Sequence, residues 1–493
     1  MNFKVFKDGK ELDSFDVVGA YLFGSDGIAI RKGQVEFADG AVRCSGHNLD
    51  TSGLVLLWPV DGFGRVLLPT TCLPKRERPY CLNVELARGK LMQIVNKCED
   101  WAYYTKDGLG QKFDEARELL IEAINNIADM PRASKLADEA LKIALDFAEQ
   151  LATKHGEAMF RIRAKNRGFG RGCIGINVQA ENTADKQYVD RLCNAASFAV
   201  VPINWAVIEK NKGEYDFSES DRCLLALAKK RIALGAGPLL RFNEKYIPEW
   251  MTAKDYSFEK IRESAYRFVS AVAARYANRV RTWTVVSGLN RHNCFGFSFE
   301  QVLELTRAAN MAVKTVDGRI RKIVEVENPW GEYYATMPGS IPPLIYMDMV
   351  VQSGIQFDAF CLRMDLGDMD AGLHSRDMMQ VSAMLDFLSP IAKPFLVSNA
   401  AVPVDSVAAA GIGSGENQSM QADWLERFYT IVLSKPFVES VIYSRLSDSK
   451  DVTGEGTGLL TKDYEPKPAY ERLKKIGEFI QAKKKTDGTA NAG

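Results

Sequence analysis

Histidine and paired cysteine, the usual ligands of a protein zinc site, are scarce in this sequence of 493 residues. The four histidines (His47, His155, His292 and His374) include no two at the spacing of metal ligands. The nine cysteines are dispersed without any C-x-x-C pair, which is typical of reduced thiols in a reducing compartment. The sequence therefore predicts no metal site, and it contains no motif that would indicate a cofactor.

An excess of charge and a long apolar run are also lacking. Lys plus Arg and Asp plus Glu both number 63, so no net field attracts nucleic acid or an anionic membrane. No stretch approaches the roughly 20 uncharged apolar residues that a membrane span requires. The first residues, Met1 to Gly9, lack the apolar segment of a secretory signal. We therefore expect a cytoplasmic protein with neither a membrane span nor a nucleic-acid partner.

Two patterns precede residue 166. Residues 1–105 alternate apolar and polar positions between Asp-Gly turns at 8–9, 39–40 and 61–62, which predicts a β-sandwich. In general layout only, this resembles a carbohydrate-binding module. Apolar residues then recur at helical spacing on either side of a turn at 129–132, so residues 106–165 are expected to form a helical hairpin.

From residue 166 to residue 482, eight short apolar or β-branched runs alternate with amphipathic stretches. The runs are 174–178, 198–202, 238–242, 282–286, 322–326, 357–362, 394–398 and 440–444. This pattern predicts an α/β fold, a (βα)8 TIM barrel preceded by the β-sandwich and the helical hairpin. The glycine run at 168–172 precedes a strand instead of opening a helix, so it indicates a turn and no phosphate loop. Residues 483–493 are expected to form a flexible tail.

Catalytic groups of such barrels lie at the C-terminal ends of the strands. Four segments there match a known pattern in both residue type and order: Trp205, then 208–217 with Asp221, then Pro248-Glu249-Trp250, then 459–470. In these segments the chain resembles the family-10 glycoside hydrolases, which are xylanases. The resemblance covers residues 172–480 and implies an endo-1,4-β-xylanase type of barrel.

The same resemblance implies two catalytic glutamates, and this chain has neither at the matching positions. The family's fourth strand ends Trp-Asp-Val-Val-Asn-Glu, where this chain reads Trp-Thr-Val-Val-Ser-Gly, so Gly288 stands at the position of the acid/base. At the end of the seventh strand, Asn399 stands at the position of the nucleophile. Retaining hydrolysis needs two carboxyl groups about 5 to 5.5 Å apart. Glycine cannot transfer a proton, and an amide cannot form the glycosyl ester.

Other strand ends depart from the family as well. The polar residues expected before Trp205 are replaced, and the Gly-His of the third strand falls near Gly237-Pro238. The Gln-x-His of the sixth strand falls near Arg363, and the Trp-Gly of the eighth falls at Ser444-Arg445. So many altered strand ends predict that the sugar-cleaving site is dismantled.

Several side chains could still give the mouth of the barrel a function. The relocated acids of a hydrolase would come from Glu325, Glu327, Glu332, Asp365 and Asp448. Salt bridges from Arg363 and Arg445 could instead plug the mouth. Sugar rings could stack on Trp205, Trp250, Trp330 and Tyr333. Ser287 and His292 suggest a nucleophile and a base, but no G-x-S-x-G elbow accompanies them.

Three functions therefore stay open. The first is a catalytically degenerate barrel that acts in binding or assembly, with a carbohydrate or a protein as its partner. The second is an active glycoside hydrolase whose carboxylates have been relocated. The third is a structural protein that assembles with copies of itself as a homo-oligomer.

Overall fold

The computed structural model describes residues 1–46, 51–102, 108–170, 172–253, 256–366, 376–402, 404, 417–449 and 456–485. Its N-terminal part contains ten short strands. They are β1 (Asn2–Lys4), β2 (Phe6–Lys7), β3 (Lys10–Glu11), β4 (Tyr21–Phe23), β5 (Gln34–Ala38), β6 (Ala41–Ser45), β7 (Thr51–Val60), β8 (Gly64–Pro69), β9 (Leu73–Pro74) and β10 (Tyr80–Cys81). They form two four-stranded sheets: one has the order β10-β1-β6-β5, and the other has the order β4-β7-β8 with β9 also paired to β7. β2 and β3 pair with each other.

The three predicted Asp-Gly turns do connect antiparallel strands. Asp8 and Gly9 join β2 to β3 with φ values of 52° and 75°, and Asp39 and Gly40 join β5 to β6 with 48° and 71°. Positive φ at both central residues is the geometry of a tight hairpin turn, which Asp-Gly adopts at little cost. Gly62, with φ of 82°, lies in the turn between β7 and β8.

Helices follow the sheets: α1 (Leu82–Asp100), α2 (Gly108–Asn125) and α3 (Met130–Lys165). The helical pair predicted within 106–165 is present, and Asp129 caps α3 by accepting a hydrogen bond from the Arg132 amide at 3.2 Å. The expectation of strands throughout residues 1–105 is wrong for α1. Polar residues at buried positions of α1, among them Asn83 and Lys90, interrupt the apolar helical pattern that would have indicated it.

Eight parallel strands close the barrel in chain order, with β18 pairing back to β11. They are β11 (Ile174–Asn177), β12 (Phe198–Val201), β13 (Ala233–Ala236), β14 (Thr282–Ser287), β15 (Arg321–Glu327), β16 (Ala359–Asp365), β17 (Phe395–Ala401) and β18 (Val438–Tyr443). The predicted (βα)8 barrel, preceded by sheets, is confirmed.

The third strand is the one whose predicted position is wrong. Residues 238–242 were expected to form it, but β13 ends at Ala236, because Gly237 has φ of 132° and Pro238 has no N–H for the ladder. The chain then resumes pairing with β14, where the Leu239 amide donates to the Thr284 carbonyl at 2.9 Å. This second pairing explains why the segment has the sequence of a strand.

Ten helices complete the description of the barrel region. They are α4 (Lys186–Ala195), α5 (Trp205–Ile208), α6 (Ser218–Ala228), α7 (Glu249–Thr252), α8 (Phe258–Tyr276), α9 (Phe299–Val316), α10 (Pro343–Gln352), α11 (Met378–Leu388), α12 (Asn417–Ser434) and α13 (Pro468–Lys485). The tail was predicted from residue 483, but α13 continues to Lys485, and residues 486–493 lie outside the described part. Among the described residues, no helix has both the length and the apolar character needed to cross a bilayer.

Long helix α3 is attached firmly to the barrel. Near its C-terminal end, Arg163 donates hydrogen bonds from Nη1 to the carbonyls of Leu433, Lys435 and Val438 at 2.8, 2.6 and 2.8 Å. These carbonyls lie between α12 and β18, so one buried guanidinium satisfies backbone acceptors at the N-terminal face of the barrel.

Buried polar contacts also join the N-terminal part to α11. Lys90 of α1 pairs with Asp377, the N-cap of α11, at 2.9 Å, and both side chains are almost fully buried. The side chain of Gln380 donates to the Leu67 carbonyl of β8 at 2.8 Å. The sheets, α1 and the barrel therefore share an interface in which the buried charges of Lys90 and Asp377 neutralise each other.

Replacing Lys90 with Met leaves the Asp377 carboxylate buried without its cation, so we expect stability to fall by about 3 kcal/mol. Urea denaturation measures this loss. The matched control is Lys4→Met, because Lys4 pairs with Glu11 on the exposed surface and should change stability by about 1 kcal/mol at most. Adding Asp377→Asn to Lys90→Met should recover part of the lost stability, because it removes the unpaired buried charge. Equal losses of stability in Lys90→Met and Lys4→Met would contradict the interpretation.

Candidate functional site

Two carboxylates from one strand occupy the interior of the barrel near its C-terminal mouth. Glu325 and Glu327 of β15 are two residues apart, so their side chains point to the same side of the strand. Glu325 is buried and accepts hydrogen bonds from the hydroxyls of Ser287 and Ser398, each at 2.7 Å. These hydroxyls come from the neighbouring β14 and from β17, which lies two strands away in the barrel.

Glu327 is the most constrained acid of the mouth, because its side chain has 0% exposure and contacts three donors. Arg241 lies 2.7 Å from Oε1, and Nε2 of His292 lies 2.8 Å from Oε2. The Ser287 hydroxyl also donates to Oε1, at 3.2 Å. Ser287 is itself fully buried, so it serves these two carboxylates as a donor and is not presented as a nucleophile.

Electrostatics keep Glu327 ionised. Burial alone would raise its pKa, but the hydrogen bond with His292 and the positive charges of Arg241 and Arg363 outweigh burial and lower the pKa to about 2. At neutral pH this side chain is therefore a carboxylate bound to cations, with no proton to donate.

Gly288 directly follows β14, as the resemblance implied, but the space for a side chain there is already filled. A Cβ atom on Gly288 would lie 2.6 Å from Oε1 of Glu327 and 3.1 Å from the His292 ring. The residue also has φ of 65°, which disfavours a residue with a side chain. The carboxylate of Glu327 thus occupies the volume that a side chain at position 288 would enter.

Asn399, in β17, belongs to a chain of hydrogen bonds across the mouth. Its carbonyl oxygen accepts from Nδ2 of Asn177 at 3.0 Å, and its own Nδ2 donates to Asp365 at 2.5 Å. Arg363 donates from Nε to the other oxygen of Asp365 at 2.9 Å. Burial would lower the pKa of Arg363, but the charges of Asp365, Glu325 and Glu327 raise it above the usual range.

Of the five candidate acids, the structure brings together Glu325, Glu327 and Asp365 and leaves two apart. Glu332 pairs with Arg376 at 3.1 Å in the loop after β15. Asp448 pairs with Lys467 and accepts from the Gly458 amide at 2.8 Å. Of the two predicted plugging residues, Arg363 lies among the acids, whereas Arg445 makes no ion pair within the described part of the chain.

Two of the four predicted stacking residues are covered. Trp205 is 2% exposed, stacks on Phe268 with ring centres 5.0 Å apart, and donates to Glu209 at 2.5 Å. Tyr333 is 5% exposed, and its hydroxyl donates to the Ile341 carbonyl at 2.7 Å. Neither ring presents a face that a sugar could reach.

The other two rings remain partly exposed. Trp250 donates to the Glu209 carbonyl at 3.0 Å, with Lys212 5.5 Å from its ring centre. Trp330 lies in the loop after β15, with the Arg376 guanidinium 5.0 Å from its ring centre. The indole N–H of Trp330 is buried and has no hydrogen-bond partner among the described residues.

Some members of this network were not singled out from the sequence. Arg241 lies within the segment 238–242 that was mistaken for the third strand, and its charge inside an apolar run was the available signal. Asn177 and Ser398 are small polar residues near strand ends and gave no distinctive signal. Among the described residues, no group of three His, Cys, Asp or Glu side chains could hold a metal ion.

Glu327→Gln should lower stability at neutral pH, because it removes an anion bound by Arg241 and His292. The folded-state pKa of about 2 lies below the ordinary 4.5, so the stabilisation is present above pH 4.5 and is lost as the pH falls towards 2. We expect a deficit of about 3 kcal/mol at pH 7 that shrinks as the pH is lowered, measured by urea denaturation. The exposed Glu36→Gln is the control, and a deficit independent of pH would contradict the assignment.

Comparison with known proteins agrees with this architecture. Residues 163–296 match the family model described as glycosyl hydrolase family 10. A psychrophilic glycoside hydrolase family 10 endo-β-1,4-xylanase superposes with a TM-score of 0.50 at 16% identity, covering 62% of this chain and 96% of that chain. No curated protein matches the sequence significantly.

Native xylanase 10B from Thermotoga maritima matches with a TM-score of 0.49 at 16% identity, covering 65% of this chain and 98% of that chain. Xylanase 10B from Thermotoga petrophila RKU-1, in complex with xylobiose, gives 0.48 at 15% identity over 62% and 94%. The assignment of Gly288 and Asn399 to the two catalytic positions stays a prediction. The family model and the closed eight-stranded barrel confirm the resemblance of this chain to the family-10 glycoside hydrolases.

Proposed function

We propose that this chain is a family-10-like barrel that acts by binding or assembly and does not perform retaining glycoside hydrolysis. The observation that carries the proposal is the state of Glu327. Its carboxylate fills the space beside Gly288, has 0% exposure, and is held by Arg241 and His292. Held in this way by Arg241 and His292, the Glu327 carboxylate is not placed to reach a glycosidic oxygen.

A general acid needs a pKa near the working pH, so that it holds a proton and can release it in the transition state. Glycosidases obtain this by placing one carboxyl where burial or a second carboxylate raises its pKa. The pKa of Glu327 is moved in the opposite direction, to about 2, by His292, Arg241 and Arg363. This argues against Glu327 as the proton donor.

Position 399 and its described neighbours also present no free carboxylate as the nucleophile of a retaining mechanism. At position 399 an amide lies between Asn177 and Asp365, with both polar atoms of its side chain engaged. Asp365, the nearest carboxylate in this chain of hydrogen bonds, is paired with Arg363 at 2.9 Å. Each oxygen of Asp365 therefore already accepts a hydrogen bond from a protein donor.

Purified protein should therefore give no turnover of xylan or an aryl xyloside above background. Installing both family glutamates, as Gly288→Glu with Asn399→Glu, should not create activity, because a Cβ at position 288 would lie 2.6 Å from Glu327. Release of reducing sugar and of the aryl group measures this. The matched variant Asn399→Glu alone should be equally inactive. Turnover by the wild-type protein that persists after repurification would contradict the proposal.

An active hydrolase with relocated carboxylates is the second candidate, and one observation favours it. The Glu327 carboxylate enters, from the neighbouring strand, the volume beside Gly288. If this candidate is right, wild-type turnover is measurable, and Glu327→Gln lowers it by about 100-fold or more. The same substitution has no activity to remove if the first proposal is right, so one assay separates them.

The ligand suggested by the family match is a carbohydrate, and Trp330 is the ring near the mouth that remains to be tested as its platform. We expect weak binding of xylo-oligosaccharides, seen by calorimetry, that Trp330→Ala lowers about tenfold. Trp101→Phe is the control, because Trp101 stacks on His155 in the helical part of the chain. Absence of binding together with a multimeric mass in light scattering would favour the self-assembling alternative instead.

A further inference from the structure

A groove of about 550 Å³ lies between the N-terminal strands and α3, and all its lining residues precede the barrel. This volume is within the range of small-molecule sites. The walls are mainly apolar, and the side chains that form them are Phe6, Leu12, Phe15, Trp58, Val60 and Leu141. Phe15 and Trp58 pack together with ring centres 5.5 Å apart. The groove is thus a concave apolar surface with aromatic rings that nothing in the proposed function uses.

Among the acids that line this groove, Asp138 on α3 is held by hydrogen bonds from Asn83 and Trp58. The Asn83 side-chain N–H2 donates to both of its oxygens at 2.9 Å, and the side chain of Trp58 donates a third hydrogen bond. Asn83 is held in place because its amide also bonds the backbone of Phe6, at 3.0 and 3.2 Å. Within the part of the chain that the structure describes, no lysine, arginine or histidine forms an ion pair with Asp138.

The charged groups around the groove do not supply the missing cation. On the side of β7 and β8, Lys142 is paired with Asp61, and Arg65 is paired with Asp16 at 3.1 Å. The charged lining residues left without an ion pair among the described residues are Lys7, Asp8, Asp138 and Glu139. Three acids against one base leave this surface short of positive charge.

Burial, reinforced by the nearby charge of Asp8, raises the pKa of Asp138 to about 6 despite the hydrogen bonds from Asn83 and Trp58. At pH 7 the group is therefore mostly ionised although its surroundings disfavour the charge. A carboxylate in an apolar setting is stabilised most by a cation at hydrogen-bond distance.

We propose that this groove binds a small organic cation, an apolar alkyl or aryl body with one protonated amine, whose nitrogen pairs with Asp138. The apolar body would lie against Phe15, Leu141 and the other walls, where its burial contributes to affinity. This binding is separate from the barrel mouth and does not depend on its function.

The test is a calorimetric titration of the full chain at pH 7.5 with 2-phenylethylammonium chloride, compared with the neutral isostere 2-phenylethanol. The amine should bind about tenfold or more tightly than the alcohol, since a charge-assisted hydrogen bond replaces a neutral one. Asp138→Asn, which keeps the shape of the side chain, should abolish this preference. Glu157→Gln, which removes an exposed acid of α3 outside the groove, is the matched control and should preserve it.

A pH series with the wild-type protein needs no substitution and keeps the test valid if a variant folds poorly. Amine affinity should fall as the pH is lowered from 7.5 to 5, because protonation of Asp138 removes its charge, whereas the affinity for the alcohol should stay constant. The proposal is overturned if the two compounds bind equally, if neither binds, or if well-folded Asp138→Asn retains the preference for the amine.

Discussion

A negative charge inside the barrel is the constraint on which the mouth depends. The Glu327 carboxylate is removed from water, and an isolated ion there would cost several kcal/mol, so partners must surround it. Arg241 and His292 contact it directly, and Arg363 adds a second positive charge nearby. Arg241 follows β13, His292 follows β14 and Arg363 lies in β16. The Glu327 carboxylate therefore interacts with side chains from three other segments of the barrel. Among the described residues, the Glu327 and His292 side chains fill the space beside Gly288.

The same logic of compensated burial extends outside the mouth. Lys90 and Asp377 neutralise each other between α1 and α11, and Arg376 and Glu332 do so beside the loop after β15. Removing one partner of such an ion pair leaves the other buried and charged, which destabilises the fold. Both partners must therefore be present for the N-terminal part and the barrel to pack together. The N-terminal part and the barrel are therefore joined by buried ion pairs as well as by the chain itself. A ligand at the Trp330 loop would bind close to the buried pair of Arg376 and Glu332.

Much of the architecture could be predicted because strand signals are local. Apolar runs separated by helical patterns located seven barrel strands, and Asp-Gly pairs located three hairpin turns. The misplaced third strand and the missed α1 share a physical cause: tertiary contacts overrode the local pattern, through pairing with β14 in one case and buried polar residues in the other. The site was harder to predict, because the partnership of Arg241 with Glu327 joins residues far apart in sequence, and the burial of Trp205 depends on Phe268.

The bonds of Arg163 bear on how such a chain could arise by recombination. A gene fragment cut just before the first barrel strand would leave behind the guanidinium that satisfies three carbonyls at the opposite face from the mouth. The barrel would then expose unpaired acceptors where α12 meets β18. A recombinant barrel that keeps the last turns of α3 would retain these bonds, whereas one that begins at β11 would leave the three carbonyls without their protein donor.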